Sequence, residues 1–79
     1  MKSDINKKKE KIILDVISKI LGVKRNMIKL NLKVGDIPAW DSLNHIKIYF
    51  ELKKRLKKEI SFKNLTQVRS VRDWVKLFA

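Results

Sequence analysis

Cysteine is absent from this sequence, and histidine occurs only once, as His45, in a chain of 79 residues. Without cysteine there is neither a disulfide framework nor a thiolate-bound metal, and one histidine cannot build a metal site alone. Long apolar runs are also absent, because Asp15, Ser18 and Lys19 interrupt the most apolar segment. We therefore expect one small cytoplasmic domain with a limited core, no membrane segment and no metal.

Acidic residues are scarce as well, since 8 Asp and Glu stand against 20 Lys and Arg and give a formal net charge of +12. A surface of this charge attracts polyanions, whether nucleic acid, anionic lipid or an acidic protein face. Only four of the basic residues are arginine, the residue that most often makes a bidentate hydrogen bond to guanine. The composition therefore disfavours base recognition. We expect no specific nucleic-acid partner. A further interpretation is that most of the surface lysines are simply exposed to solvent and have no binding role.

The apolar residues of the N-terminal quarter recur at helical spacing. They predict a first helix that starts near Ser3-Asp4 and stops at Gly22. Its apolar stripe comprises Ile5, Ile12, Ile13, Val16, Ile17, Ile20 and Leu21. Residues 23–41 show no sustained period and predict a long loop, with one short helical turn near Asn26 to Leu30.

A second long helix is predicted from about Ser42 to Lys58, and it carries more apolar residues than one buried face requires. One stripe suffices to pack a small bundle and comprises Ile48, Tyr49, Leu52 and Leu56. A second stripe on another side of the helix comprises Leu43, Ile46 and Phe50. Because this second stripe lies beside Ser42, it is a candidate surface for a partner or ligand. The alternative is that a short bundle buries both stripes.

Two shorter helical segments are predicted after Glu59-Ile60. Residues 61–67 allow one or two turns, with Phe62 and Leu65 as apolar anchors. A capping box of Ser70 and Asp73 then opens a last helix. That helix has an apolar stripe of Val71, Trp74, Val75 and Phe78. The predicted fold class is all-α: a four-helix bundle with three longer helices, a short third helix and a long loop between the first two.

Residues 40–43, Trp-Asp-Ser-Leu, place a serine where the long loop turns into the second helix. A serine at the head of a helix has its hydroxyl outside the helical hydrogen-bond ladder and open to solvent. The first turn offers unpaired backbone N–H groups and the positive end of the macrodipole, so a phosphate on Ser42 would be favoured. The alternative interpretation is that the Asp-Ser-Leu triplet is an ordinary N-terminal cap, because Asp and Ser are both common at the start of a helix.

In this arrangement the chain resembles the acyl carrier proteins and the related peptidyl carrier domains. The resemblance covers essentially the whole length and is strongest from Asp36 to Phe78. It rests on the Asp-Ser-Leu triplet at residues 41–43, the apolar pattern of the second helix, the Glu59-Ile60 ending, the short third helix and the closing residues 70–75. The form Trp-Asp-Ser-Leu-Asn-His at residues 40–45 is similar to a freestanding subgroup of these carriers.

The resemblance implies that a phosphopantetheinyl transferase attaches 4′-phosphopantetheine from coenzyme A to Ser42, with Asp41 supporting the transfer. It implies a carrier that is not itself an enzyme and that holds an acyl or aminoacyl group as a thioester. Its partners would include a loading enzyme and an accepting synthase or transferase, and we expect a monomer. The apolar part of the partner surface would comprise Leu43, Ile46 and Phe50.

The chain departs from this family in the charge of the second helix, which is usually acidic and here is basic. Lysines of this region that we expect to steer docking onto an acidic partner are Lys47, Lys53, Lys54 and Lys57. A partner surface built for acidic carriers would meet like charge. We therefore expect dedicated enzymes of a specialised pathway, in lipid or secondary-metabolite biosynthesis, rather than a housekeeping fatty-acid synthase.

Three further side chains receive structural interpretations from the sequence. His45 has no catalytic partner near it in the sequence, which favours a packing or capping role in the first turn. Trp40 is expected to seal the loop against the second helix, or else to lie beside the prosthetic arm. Tyr49 is expected in the core with its hydroxyl at the surface.

Two other functions stay open: a small basic helical module that binds nucleic acid or an anionic partner without modification, and a carrier fold that serves only as an adaptor.

Overall fold

The apolar periodicity of the sequence corresponds to four α-helices in the computed structural model, which describes the backbone of residues 2–78 and the side chains of residues 7–78. The helices are α1 (Lys2–Leu21), α2 (Ser42–Leu56), α3 (Asn64–Gln67) and α4 (Val71–Phe78), and a 3-10 turn spans Arg25–Met27. Residues 2–78 contain no β-strand, so the predicted all-α class and helical bundle are confirmed at this level. The radius of gyration is 11.6 Å, close to the roughly 12 Å of a packed chain of this length.

Helix α1 ends where the sequence predicts, at Gly22. This glycine has a φ of +68°, and its N–H and that of Val23 both donate to the Ser18 carbonyl, at 2.9 and 3.2 Å. A left-handed residue that closes a helix in this way is usually glycine, because a Cβ is disfavoured there. At the other end α1 begins at Lys2, just before the predicted start at Ser3-Asp4. The side chain of Ile5, part of the predicted stripe, lies outside the described residues.

The long loop between α1 and α2 is anchored to the segment that leads into α4. The N–H of Val34 donates to the Arg69 carbonyl at 2.8 Å, and the N–H of Val71 donates to the Leu32 carbonyl at 2.9 Å. Its short turn at Arg25–Met27 lies slightly earlier than the predicted 26–30. These backbone hydrogen bonds satisfy polar groups that a loop of this length would otherwise leave to solvent.

The core lies between α1, α2 and α4 and is closed by side chains from the connecting segments. Its fully buried side chains are Ile13, Ile17, Trp40, Ile48, Leu52, Val71, Trp74 and Phe78. The predicted α2 core stripe is confirmed for Ile48, Tyr49 and Leu52, while Leu56 is partly buried. Ile28 and Ile60 add buried side chains from outside the helices. The apolar faces of the helices therefore converge on one core, as the periodicity indicates.

Two sequence-based expectations about aromatic residues in this region are wrong. The Tyr49 hydroxyl is buried rather than at the surface, and it donates to the Ile60 carbonyl at 2.6 Å. This bond ties the segment after α2 back onto the helix. Phe62 is not a buried anchor, since 54% of it is exposed and its ring lies edge-on against Tyr49, with ring centroids 5.6 Å apart. Leu65 alone anchors α3 in the core.

The ends of α2 and the start of α4 are set by local residues. Helix α2 ends at Leu56 rather than at the predicted Lys58, because Lys57 adopts a left-handed conformation with a φ of +49°. The capping box that opens α4 is confirmed: the Asp73 N–H donates to Ser70 Oγ at 3.1 Å, and the Ser70 N–H donates to the Asp73 carboxylate at 3.2 Å.

Candidate functional site

Ser42 is the first residue of α2, and its side chain is exposed. The cap of the helix is the preceding residue, Asp41, whose carboxylate accepts the Asn44 N–H at 2.9 Å. The triplet therefore supplies an ordinary helix cap, as the alternative interpretation predicts, but the capping residue is Asp41 rather than Ser42. In the described part of the chain the Ser42 hydroxyl makes no side-chain hydrogen bond, so it is available for chemistry.

The backbone just before Ser42 is fixed by a set of short hydrogen bonds. The Gly35 N–H donates to the Trp40 carbonyl at 2.9 Å, and the Trp40 N–H donates to the Ile37 carbonyl at 3.0 Å. The Asn44 side-chain amide reaches back from α2 to the Ala39 carbonyl at 2.6 Å. Gly35 has a φ of +92°, a conformation that side chains with a Cβ rarely adopt. Ser42 is therefore presented from a fixed position rather than from a freely moving loop.

His45 joins the start of α2 to the loop and to α3. Trp40 Nε1 donates to His45 Nδ1 at 3.0 Å, and His45 Nε2 lies 2.8 Å from the Val68 carbonyl and 3.3 Å from that of Leu65. Because the indole N–H can only donate, Nδ1 must accept and Nε2 must carry the proton that is donated to the carbonyls. The predicted packing role of His45 is confirmed, and so is the sealing of the loop by Trp40, which is fully buried.

A shallow groove of about 510 Å³ runs beside Ser42. It is lined by Val34, Ser42, His45, Ile46, Phe62, Leu65, Thr66, Val68 and Arg69. Most of these side chains are apolar, while Thr66 and Arg69 are polar and exposed. The sequence does not predict this groove, because its walls come from the first loop, α2, α3 and the segments on either side of α3. Their approach depends on tertiary contacts such as the bond from His45 to Val68, 23 residues apart.

The second apolar stripe of α2 is only partly covered by the bundle, which leaves a candidate surface as the sequence predicts. Leu43 is 62% exposed and Phe50 is 55% exposed, while Ile46 is partly buried and lines the groove. The expectation that a short bundle buries both stripes is therefore wrong for Leu43 and Phe50. Their exposure leaves an apolar surface next to Ser42.

The four lysines singled out in the sequence have different surroundings. Lys47, Lys54 and Lys57 are exposed, and Lys57 lies just beyond the end of α2. Lys53 is partly buried, with its Nζ 3.8 Å from a Glu59 carboxylate oxygen and 5.8 Å from the centre of the Tyr49 ring. Lys53 therefore has local partners that weaken its availability for docking.

Two carboxylates, Glu51 of α2 and Asp73 of α4, have lowered pKa values. A hydrogen bond from Arg55 at 2.8 Å is the main cause that lowers the pKa of Glu51, with the positive charge of Arg55 adding to it. The pKa of Asp73 is lowered first by the Arg69 backbone N–H and then by hydrogen bonds from Ser70. Both carboxylates are therefore held in their charged form by local partners.

Within the described residues no cluster of three or more His, Cys, Asp and Glu side chains could hold a metal ion. None of the helices described is long and apolar enough to cross a membrane. No family model matches the chain, and no curated protein matches it significantly. The function therefore has to be argued from the residues around Ser42.

Proposed function

We propose that this chain is an acyl or aminoacyl carrier protein, modified with 4′-phosphopantetheine on Ser42. The observation that carries the proposal is the state of the Ser42 hydroxyl. It is exposed at the first position of α2, it is relieved of capping by Asp41, and it lines a largely apolar groove. The helical architecture, with a long first loop and a short third helix, is compatible with a bundle of the carrier type.

The residues around Ser42 suit a phosphodiester. In the first turn of a helix the leading N–H groups have no intrahelical acceptor, and that of Asn44 is already taken by Asp41. The N–H groups of Ser42 and Leu43 thus remain for a phosphate, together with the positive end of the α2 macrodipole. Asp41 uses one carboxylate oxygen as the cap, and its other oxygen would help to hold a magnesium ion during transfer, as the resemblance implies.

When bound, the group would supply a thiol on a flexible arm, which holds the cargo as a thioester. The chain itself would hold and present that cargo. Fixing one end of the arm at Ser42 replaces a diffusional encounter with a tethered one, so delivery depends on effective concentration. The anchored loop before Ser42 contributes by keeping the attachment point in place.

The net charge of +12 supports a second candidate, a basic helical module that binds a polyanion without covalent modification. The carrier proposal is preferred because the basic residues are spread over the chain, whereas the exposed serine, its cap and the groove lie together. Dedicated partner enzymes in a specialised pathway follow from the basic α2, since a docking face made for acidic carriers would repel it.

The test is the addition of one phosphopantetheine mass. The protein is incubated with coenzyme A and a broad-specificity phosphopantetheinyl transferase, and the product is followed by intact-protein mass spectrometry. We expect one addition to the wild type and to Ser61→Ala, a control at another exposed serine, and none to Ser42→Ala. Because Ser42 is not the cap, Ser42→Ala should change the free energy of unfolding by less than about 0.5 kcal/mol.

The folding of the variants is checked by circular dichroism. Failure of several such transferases to modify the folded wild type would contradict the proposal and favour the adaptor or polyanion-binding alternatives. Addition of the group to Ser42→Ala would contradict the attachment site.

A further inference from the structure

Four exposed residues of α2 lie on one line along the side opposite the core. They follow one another at spacings of four, three and four residues, and we call them the outer face: Leu43, Lys47, Phe50 and Lys54. At a rise of 1.5 Å per residue the outer face is about 16 Å long and begins directly after Ser42. Apolar and cationic side chains alternate along it.

The two apolar members of the outer face are large and well exposed. Leu43 is 62% exposed and Phe50 is 55% exposed. Covering both side chains with a partner would remove apolar surface from water and so contribute favourable free energy to binding. The Phe50 ring lies edge-on against the buried Tyr49, with ring centroids 5.1 Å apart. A ring that is already positioned loses less conformational freedom on binding than a freely rotating one.

The two cationic members of the outer face form no close ion pair among the described side chains, and Lys54 acts on Glu51 through its charge without a contact. Among the described side chains, the only acidic residue of α2, Glu51, forms its ion pair with Arg55 at 2.8 Å. The nearest acid after the helix, Glu59, pairs with Lys53. No ion pair in residues 7–78 involves Lys47 or Lys54. These two charges are therefore available to carboxylates of another molecule.

We propose that the outer face docks onto a protein whose surface has apolar hollows for Leu43 and Phe50 and carboxylates beside them for Lys47 and Lys54. This rests on the proposed function, because an enzyme that reaches a group on Ser42 must approach the adjacent end of the outer face. The charge sign follows from the unpaired lysines, and the alternation of apolar and basic residues fits an interface in which anchors are flanked by complementary charges.

A protein fits the outer face better than a membrane or a nucleic acid does. A helix that lies in a lipid interface gathers its apolar residues on one face and its lysines on the other, whereas here they alternate along the same line. A nucleic-acid surface would use aromatic stacking within a basic groove, and Leu43 has no role in such contacts.

The test uses a phosphopantetheinyl transferase chosen because its carrier-docking surface is basic, and a variant of it in which those basic residues are replaced by glutamate. Binding is measured by titration calorimetry with Ser42→Ala, so that no modification occurs. In that background, Lys47→Glu/Lys54→Glu is compared with Lys7→Glu/Lys11→Glu, a control that changes two exposed lysines of α1 and the same total charge.

We expect Lys47→Glu/Lys54→Glu to weaken binding to the acidic form about three- to tenfold at low salt, with a smaller effect at high salt, and to strengthen binding to the basic form. The α1 control should change the affinity for the acidic form and for the basic form by less than about twofold. Leu43→Ser/Phe50→Ser should weaken binding to the acidic form at every salt concentration. Equal effects of the α2 and α1 charge variants would overturn the proposal.

This experiment separates the two proposals. If the wild type is modified but its binding is unchanged by Lys47→Glu/Lys54→Glu, the outer face is not the docking surface, while the carrier function is kept. Binding that depends on Lys47 and Lys54, without any modification of the wild type, would keep the outer face as a docking surface and reject the carrier function. Binding of phosphatidylserine vesicles or a DNA duplex at physiological salt, lost in Leu43→Ser/Phe50→Ser, would overturn the choice of a protein partner.

Discussion

Replacing His45 by alanine should destabilise the domain more than any other single change at the start of α2. The imidazole accepts from Trp40 Nε1 at 3.0 Å and donates to the Val68 carbonyl at 2.8 Å. In His45→Ala the indole N–H and the carbonyl both lose their partner while they stay buried. Each orphaned group costs about 1–3 kcal/mol, so the free energy of unfolding should fall by roughly 2–6 kcal/mol.

This loss is a large part of the stability that a chain of this size can have. At about 0.05–0.15 kcal/mol per residue, 79 residues give a free energy of unfolding of about 4–12 kcal/mol. Tyr49→Phe is the matched control, because it removes one hydroxyl and orphans only the Ile60 carbonyl. It should cost about 1–3 kcal/mol. His45→Gln keeps an amide that can donate to Val68, so it should lie between His45→Ala and the wild type.

The assay is urea unfolding followed by tryptophan fluorescence and by far-ultraviolet circular dichroism. Imidazole nitrogen shifts measured by NMR should also show Nδ1 without a proton, as the bond from Trp40 requires. A fall of less than about 2 kcal/mol in His45→Ala would refute the argument from two orphaned groups. A proton on Nδ1 in the folded protein would refute the bond itself.

Two further predictions concern the helix ends. The pKa of Asp73 is lowered by folding, so its contribution to stability is fully present above the unfolded value of about 3.9 and is lost as pH falls through the folded pKa. The difference in Tm between the wild type and Asp73→Ala should therefore shrink on acidification from pH 7 to pH 2.5, and a constant difference would contradict this assignment. Lys57→Gly should raise the free energy of unfolding by about 0.5–1 kcal/mol, because Lys57 is left-handed at a φ of +49°. No gain in chemical denaturation would mean that the left-handed position carries little strain, and Lys58→Gly serves as the control.

The helices could be predicted from the sequence because their signals are local. Periodicity, the glycine at position 22 and the capping box of Ser70 and Asp73 all act within a few residues, and each lies where the structure has it. The position of Ser42 at the head of α2 follows from the same kind of signal. What differs at that position is the identity of the cap, since Asp41 and Ser42 are equally good caps and only geometry separates them.

The features of the fold and the site that the sequence does not predict depend on contacts between residues distant in sequence. The Tyr49 hydroxyl finds its acceptor 11 residues away, and His45 finds Val68 23 residues away. Neither partner carries a sequence signal, because both are backbone carbonyls. Phe62 is predicted as an apolar anchor but is exposed, because α3 has only four residues, too few to show which of its neighbours face the core. The groove beside Ser42 is not predicted because its walls come from segments that only tertiary contacts bring together.

The two sides of α2 separate stability from docking. The inner side carries His45, whose bonds hold both the loop before Ser42 and the segment after α3. A change there should loosen the groove and lower stability together, since both depend on the same buried ring. The lysines of the outer face are exposed and form no ion pair among the described side chains, so Lys47→Glu/Lys54→Glu should alter partner binding while the melting curve stays unchanged. A loss of modification in an outer-face variant that melts like the wild type would therefore report on docking. The same loss in a His45 variant would report on how Ser42 is held.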